Sequence, residues 1–273
     1  MNPPNGIRTR VSRIKQSAFR NAVSLVARAR PRPSGYVSGT TVLTVNWNSL
    51  PFLRPMVAAT RANSPLDTRI LVVDNHSTDG SREWLASRPD IRTMALPVNV
   101  GHGLALDLAT PTVDTEYVAV LDVDAFPISP TWLEESIAAL QPVACVAGGK
   151  LHRNFIHPSF LVIRTELVHR LKLTFRPWGR ITTNRNQAPM FFDVGEMLSQ
   201  RLIIREGGSD AIHGFPITEL TGPGHAGTVY GGLVYHNMYA TQGLGNDGAL
   251  AMWHAAIRRH LPAEVWGDVI DER

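Results

Sequence analysis

The chain has 273 residues, 44% hydrophobic and 18% charged, enough for one large domain or a domain with an appendage. Net charge is +4 but unevenly spread: no acid precedes Asp67, while Arg8, Arg10, Arg13, Lys15, Arg20, Arg28, Arg30 and Arg32 crowd the N-terminus. A single cysteine, Cys145, excludes an intrachain disulfide and reads as a small core residue in a reducing compartment.

Between the first bases, Val11, Ile14, Ala18, Ala22 and Leu25 recur at helical spacing. A basic amphipathic helix lying on an anionic membrane surface through residues 8–32 fits that pattern; so does a solvated leader or a helix packed on the domain. No run approaches the ~20 apolar residues of a spanning helix. A secretory signal fits poorly, because Asn21–Ala27, the longest gap between Arg20 and Arg28, contains Asn and Ser. Pro31-Arg32-Pro33-Ser34-Gly35 reads as a linker, which makes residues 1–36 a leader and 37–273 the folded domain.

Strand and helix signals then alternate. Strands are expected over 41–46, 69–74, 91–96 and 117–121. Helices are expected over 50–62, broken early by Pro55, and over 78–87, 102–109 and 132–140. Such alternation argues for an α/β fold with an open, largely parallel sheet flanked by helices. Ligands bind beyond the carboxyl ends of strands in such sheets. Asn46 and Asn48, Asp74 and Asn75, and Asp122 and Asp124 all fall at those ends. The second half is less regular. Strands are expected over 160–164 and 201–205, a short helix over 192–202, a mobile glycine loop over 222–232 and a terminal helix over 250–259.

The acids of Tyr117-Val-Ala-Val-Leu-Asp-Val-Asp124 carry the most chemistry. Carboxylates ending an apolar strand are costly to desolvate without a cationic partner. A hard divalent cation such as Mn²⁺ or Mg²⁺, shared with substrate phosphates, is the simplest one. Asp-x-Asp alone is a weak signal, since turns are rich in Asp.

Three segments change its weight: Val42-Leu-Thr-Val-Asn-Trp-Asn-Ser49, Ile70-Leu-Val-Val-Asp-Asn-His-Ser-Thr-Asp-Gly-Ser81 and Val120-Leu-Asp-Val-Asp124. Their order and spacing resemble the family 2 glycosyltransferases of GT-A fold, and most of all the bacterial rhamnosyltransferase-like branch. Asn99-Val-Gly101 is similar to that family's Asn-x-Gly element. The likeness covers residues 40–135, a nucleotide-sugar half, and is thin over 136–273, an acceptor half.

The resemblance implies a metal-dependent, inverting transfer of sugar from a nucleotide-diphosphate sugar to an acceptor hydroxyl, in bacterial glycan or glycolipid synthesis. The acceptor would be a glycan or a lipid-linked molecule, and no nucleic-acid partner is implied. The domain would face the cytoplasm, where nucleotide sugars are made, with peripheral membrane contact through the leader. Asp74 would accept hydrogen bonds from the base, and Asn46, Asn48, Asn75, Asn99 and Gly101 would shape the same pocket. Asp122 and Asp124 would form the metal motif, with Asp124 the direct ligand and Asp122 also reaching the sugar or ribose. His236 would add a late ligand, with His225 the weaker competitor. The base that deprotonates the acceptor would be Glu196 or Asp193; Met197 stands where the family's second acid is expected. Asp193 and Glu196 also read as a helix-capping pair, and Ser77 and Asp79 as caps.

Asp107 stands where relatives often carry Asn. His102, His152 and His157 are polar near the expected site without a role. Trp132, Trp178, Phe191 and Phe192 suit either an acceptor sugar or the core. A dinucleotide fold is rejected, because Gly101-His-Gly-Leu-Ala-Leu106 lacks a glycine and follows the third strand. No P-loop, His-Glu-x-x-His or paired Cys-x-x-Cys occurs, and Gly207-Gly-Ser-Asp-Ala211 misses the last glycine of a serine elbow. A sugar nucleotidyltransferase would need a basic glycine loop that Asn46-Trp-Asn-Ser49 does not offer. A non-catalytic nucleotide-sugar-binding module is the remaining alternative.

Overall fold

A computed structural model describes residues 5–140, 143–150, 153–177, 192–221, 226–238 and 247–267. His152, Trp178, Phe191, Gly222, Gly224 and His225, singled out above, lie outside the described residues.

The β-branched runs form β1 (Val37–Asn46), β2 (Arg69–Asp74), β3 (Arg92–Ala95) and β4 (Thr115–Leu121). They are joined by α2 (Leu50–Ala62), α3 (Ser81–Ala86) and α4 (His102–Ala109), and α1 (Asn5–Ala29) precedes them. Crossover helices let the four strands run parallel. Three further strands, β6 (Val146–Lys150), β7 (Ile156–Arg164) and β8 (Ile212–Phe215), complete a sheet of order β3-β2-β1-β4-β7-β6-β8, in which only β7 runs against the rest.

Both faces of the centre of this sheet are covered, so β1, β2 and β4 are apolar on both sides, whereas the edge strand β3 is largely exposed. Val42, Ile70, Val72 and Ala119 face one core cluster; Leu43, Leu71, Val73 and Val120 face the other. Register sets the site: Asn46 lies opposite Asp74, and Leu43 opposite Val120, so that β1, β2 and β4 present their polar ends on one rim.

A second sheet has the order β5-β11-β10-β9, built from β5 (Ala125–Pro127), β9 (Ile217–Leu220), β10 (Thr228–Tyr230) and β11 (Val234–His236). The expected loop over 222–232 is therefore corrected in part, since Thr228–Tyr230 is a buried strand. The register of β5 with β11 brings His236 opposite Ala125, beside Asp124.

Other expectations also shift. Pro55 does not break α2, which runs unbroken through it. Pro55 has no N–H for the Pro51 carbonyl four residues back. That carbonyl accepts instead from Trp253 Nε1 at 3.3 Å, in α8 (Asp247–His260). Phe52 and Trp253 are both fully buried in this contact, each worth roughly 2 kcal/mol. Residues 201–205 are not a strand. α7 (Glu196–Leu202) buries Leu198 and Leu202 four residues apart and passes into a wide helical turn over Ile203–Gly207, with Ile204 exposed. The helix expected over 78–87 is shortened to α3 by the left-handed Gly80. The one expected over 192–202 begins only at Glu196, after a left-handed Gly195.

α5 (Trp132–Ala139) packs on β6 and β7, with Trp132 fully buried, so this aromatic belongs to the core. α6 (Thr165–Arg170) follows β7, and α9 (Ala263–Trp266) closes the described chain. α1 lies along α4 and is held by Val23 and Ala27, while Phe19, Leu25 and Val26 stay exposed. Of the amphipathic stripe, Ala18, Ala22 and Leu25 are thus exposed. Among the described residues no helix is long and apolar enough to cross a membrane.

Candidate active site

The rim begins where β1 ends. Asn46 is fully buried and donates from Nδ2 to Ser77 Oγ at 3.0 Å. The same hydroxyl accepts from Asn48 N at 3.0 Å. Asn48 is left-handed (φ 49°) and its Oδ1 accepts from Thr78 N at 2.7 Å. Ser77 thus ties two strand ends together and does not cap a helix. Asp79 is a cap, twice over: Oδ2 accepts from Leu50 N, the first residue of α2, and Oδ1 from Ser81 N, the first of α3.

Asp74 is fully buried, and Arg82 Nε meets its Oδ2 at 2.6 Å while Ser77 N donates to the same oxygen at 3.3 Å. Arg82 also donates to the Leu96 carbonyl at the end of β3. Asn75 Nδ2 donates to Asn99 Oδ1, which also accepts from Gly101 N; Asn75 Oδ1 accepts from Val100 N. These two Asn side chains hold the loop before α4 in place. Gly101, at φ 87° and ψ 157°, adopts a backbone that side chains disfavour and turns the chain into that helix.

Asp122 and Asp124 occupy a tight turn after β4, closed by Ala125 N donating to the Asp122 carbonyl. Asn237 N donates to the Asp124 carbonyl at 2.9 Å and fixes the end of β11 against this turn. His236 Nε2 therefore sits 3.5 Å from Asp124 Oδ1 and 3.7 Å from Asp122 Oδ2. One ligand atom from each of Asp122, Asp124 and His236 lies within 4.8 Å of the others. Burial alone would lower the His236 pKa; the Asp124 hydrogen bond and the charges of Asp124 and Asp122 outweigh it, and the pKa is raised.

Two further imidazoles flank Asp122. His102 Nε2, at the start of α4, is 3.4 Å from Oδ1, and His157 Nδ1, near the start of β7, is 3.8 Å from Oδ2. Burial lowers the His157 pKa despite the Asp122 charge. Tyr230 stacks on His236, and burial raises its phenol well above the ordinary value.

The donor set suits a cation. Hard oxygen ligands and an imidazole are a fitting set for Mn²⁺ or Mg²⁺. Asp122 Oδ1 and His236 Nδ1 are enclosed and have no hydrogen-bond partner among the described residues. The same holds for Asn46 Oδ1 and Asp74 Oδ1 farther along the rim. Each such group costs about 1–3 kcal/mol if left unpaired. Their alignment along one rim is what a bound metal and nucleotide would relieve.

The second carboxylate pair lies at the start of α7. Glu196 is buried, and its Oε2 accepts from Asp193 N at 2.9 Å and lies 3.1 Å from Arg153 Nη1. The capping box is thus half formed: the Asp193 carboxylate accepts from Val194 N, and it is the Asp193 carbonyl that accepts from Glu196 N. The Asp193 side chain is 47% exposed, 3.9 Å from Arg153 Nη2, and its charge reaches His157.

Arg82 and Arg153 were missed in the sequence reading, and His102 and His157 were noticed there without a role. A signal for Arg82 exists: it follows Asp74 by eight residues, inside the helix that the loop leads into. Arg153 lies in an irregular stretch and carries no such signal.

No curated protein matches the chain. Among solved structures it is similar to residues 1–349 of Staphylococcus aureus TarS, at 17% identity and TM-score 0.43 over 50% of each chain. It therefore spans about half the length of that 1–349 chain. It is similar to the mannosyltransferase PcManGT from Pyrobaculum calidifontis, in complex with GDP-Man and Mn²⁺, at 16% identity and TM-score 0.48 over 94% of this chain and 78% of that one. It is also similar to glucosyl-3-phosphoglycerate synthase from Mycobacterium tuberculosis, in complex with phosphoglyceric acid, at 17% identity and TM-score 0.48 over 71% and 72%. The family profile described as glycosyl transferase family 2 matches residues 41–201, more than half of the sequence and all of the rim up to α7. The chain belongs to glycosyl transferase family 2.

Proposed function

We propose that the chain moves a sugar from a nucleotide-diphosphate sugar to an acceptor hydroxyl with inversion at the anomeric carbon, in bacterial glycan or glycolipid synthesis. The observation that carries this reading is the shared rim. An enclosed acid at the end of β2 and an acid–imidazole cluster after β4 lie on the same rim, on either side of β1, each with polar atoms that have no hydrogen bond among the described residues.

The nucleoside end would be held by Asp74 Oδ1 and Asn46 Oδ1, which accept N–H donors of a base or hydroxyls of a ribose. Arg82 would hold the Asp74 carboxylate in place through its Nε contact at 2.6 Å. Asp124 and His236 would bind Mn²⁺ or Mg²⁺, and Asp122 would serve both metal and sugar. A cation there supplies Lewis-acid stabilisation of the departing diphosphate.

The acceptor hydroxyl must lose its proton as its oxygen bonds to the anomeric carbon and the bond to the diphosphate oxygen breaks. Asp193 is the better base, because its carboxylate is accessible, whereas Glu196 is buried against Arg153. Glu196 would position Asp193 by accepting its backbone N–H. Residues 37–273 would form the catalytic domain. The α1 appendage, with its exposed Phe19, Leu25 and Val26, would meet an anionic membrane surface at the cytoplasmic side.

The second reading, a binding module without turnover, is favoured by Glu196 being engaged in an ion pair and by Met197 in place of a second acid. A thermal-shift panel of nucleoside diphosphates with and without Mn²⁺ identifies the donor class, since ligands of the native state raise its midpoint. Nucleotide sugars of that class are then assayed for transfer and hydrolysis. A metal-dependent shift followed by turnover supports the enzyme; a shift without turnover supports the module; no shift with any nucleotide overturns both.

A further inference from the structure

A cavity of about 480 Å³ lies beneath α1, lined by residues of that helix, α4, α6 and α7 and away from the acid–imidazole cluster. Its size falls within the roughly 300–1,000 Å³ of small-molecule sites. Five cations line it: Arg28 on α1, Arg32 in the linker, Lys172 and Arg176 after α6, and Arg201 on α7. Asp107 is the single carboxylate among the lining residues, and Thr174 Oγ1 and Phe175 N already donate to it.

The neutral polar groups of the wall are engaged within the protein. Asn21 Oδ1 and Ser24 Oγ accept from Arg176, and Thr110 Oγ1 donates to the Leu106 carbonyl. His169 bonds through Nδ1 to Tyr36 and through Nε2 to the Thr110 carbonyl. What the wall offers a ligand is therefore positive charge and hydrocarbon, the latter from Leu25, Ala27, Pro111, Val168 and Leu173. Arg32 Nε is enclosed and has no hydrogen-bond acceptor among the described residues, a costly state that an anion would relieve. Leu25 both lines the cavity and is 67% exposed, so hydrocarbon runs outward from it onto the open apolar face of α1 beside Val26.

We propose that this cavity binds a phosphate or diphosphate ester carrying a hydrocarbon chain, with the phosphate on Arg28 and Arg32 and the chain leaving past Leu25. A purely polar ligand would leave the hydrocarbon of the wall uncovered, and an uncharged lipid would leave Arg32 Nε without an acceptor. The site is independent of the donor rim and is tested without any nucleotide.

The test is calorimetric titration of the full chain with farnesyl phosphate and, separately, with inorganic phosphate. Farnesyl phosphate should bind one to one and at least about tenfold tighter than inorganic phosphate. Arg32→Gln and Leu25→Glu should each weaken it about tenfold or more, with circular dichroism unchanged. Leu25 is exposed, so Leu25→Glu remains informative should Arg32→Gln fail to fold. Flotation with phosphatidylglycerol vesicles separates the two sources of such a ligand. Displacement by farnesyl phosphate indicates a bilayer lipid, and saturable farnesyl phosphate binding without vesicle competition indicates a free amphiphile. Inorganic phosphate binding as tightly as farnesyl phosphate, or both variants binding like the wild type, would overturn the proposal.

Discussion

Asp74 and the Asp122–Asp124 pair are acids at the ends of parallel strands, buried except for the half-buried Asp122, and the fold treats them differently. Asp74 has a cation built into the chain, Arg82, at 2.6 Å. Asp122 and Asp124 lie within 3.4–3.8 Å of imidazoles, which carry full positive charge only when protonated. The first acid is paired with a fixed cation and the second pair faces imidazoles, while both sites keep an enclosed oxygen, Asp74 Oδ1 and Asp122 Oδ1, with no hydrogen bond among the described residues. That contrast separates a carboxylate suited to recognition from a pair suited to an exchangeable metal.

The largest expected effect comes from breaking the second site. Asp124→Ala should lower transfer by about a thousandfold or more while leaving the circular dichroism spectrum unchanged, since the loss falls on the leaving group. Chelation of wild-type protein should do the same and be reversed by Mn²⁺. Full activity in chelator would refute the distinction between the two acid sites.

Next in size is the base. Asp193→Asn should cost roughly a hundred- to ten-thousandfold in kcat with donor binding kept. Glu196→Gln weakens the charge contact with Arg153 and should act more mildly on rate while lowering the unfolding midpoint. A reversed order, with Glu196→Gln the slower enzyme, would assign the base to Glu196. Normal rates in both would exclude this pair.

The first half of the molecule was legible because its strands are buried on both faces and its helices carry period-3.6 patterns, which local sequence encodes. The rim followed from knowing only that strand ends converge. The histidines around Asp122 were not legible as a group. His102, His157 and His236 belong to α4, β7 and β11, and the pairing of β5 with β11 that brings His236 in involves strands of three residues each. Residues 201–205 misled for the opposite reason. Their β-branched isoleucines suggest a strand, but the helix begun at Glu196 buries Leu198 and Leu202 and carries on past them. Pro55 misled because a lost backbone hydrogen bond was counted without the indole that replaces it.

Removing the built-in cation tests the other half of the contrast. Arg82→Ala leaves a fully buried carboxylate without its partner and should cost about 3 kcal/mol, read from urea midpoints. Arg82→Lys should recover only part of this, because one ammonium cannot reach both Asp74 and the Leu96 carbonyl as the guanidinium fork does. If Arg82→Ala were neutral, Asp74 would have to find another partner, and its contrast with the Asp122–Asp124 pair would fail.

Asp107 supplies the intermediate case and the smallest effect. It has hydrogen bonds from Thr174 and Phe175, with Arg28 and Arg176 only as more distant charges. Burial outweighs these and pushes its pKa up to about 6. The sign follows from the raised value. Below the ordinary carboxylate pKa the group is protonated in both states and adds nothing to pH dependence. Between about 4 and 6 the unfolded chain releases a proton that the folded chain retains, so stability falls through this window and levels off above it. Asn can accept from Phe175 N and donate to Thr174 Oγ1, so Asp107→Asn should keep the geometry and remove the titration. The variant should match the wild type near pH 4 and exceed it by on the order of 2 kcal/mol at pH 7. Stability curves that run parallel across that range would mean that hydrogen bonds and distant guanidinium groups already compensate this buried acid, and that a paired cation is not what sets Asp74 apart.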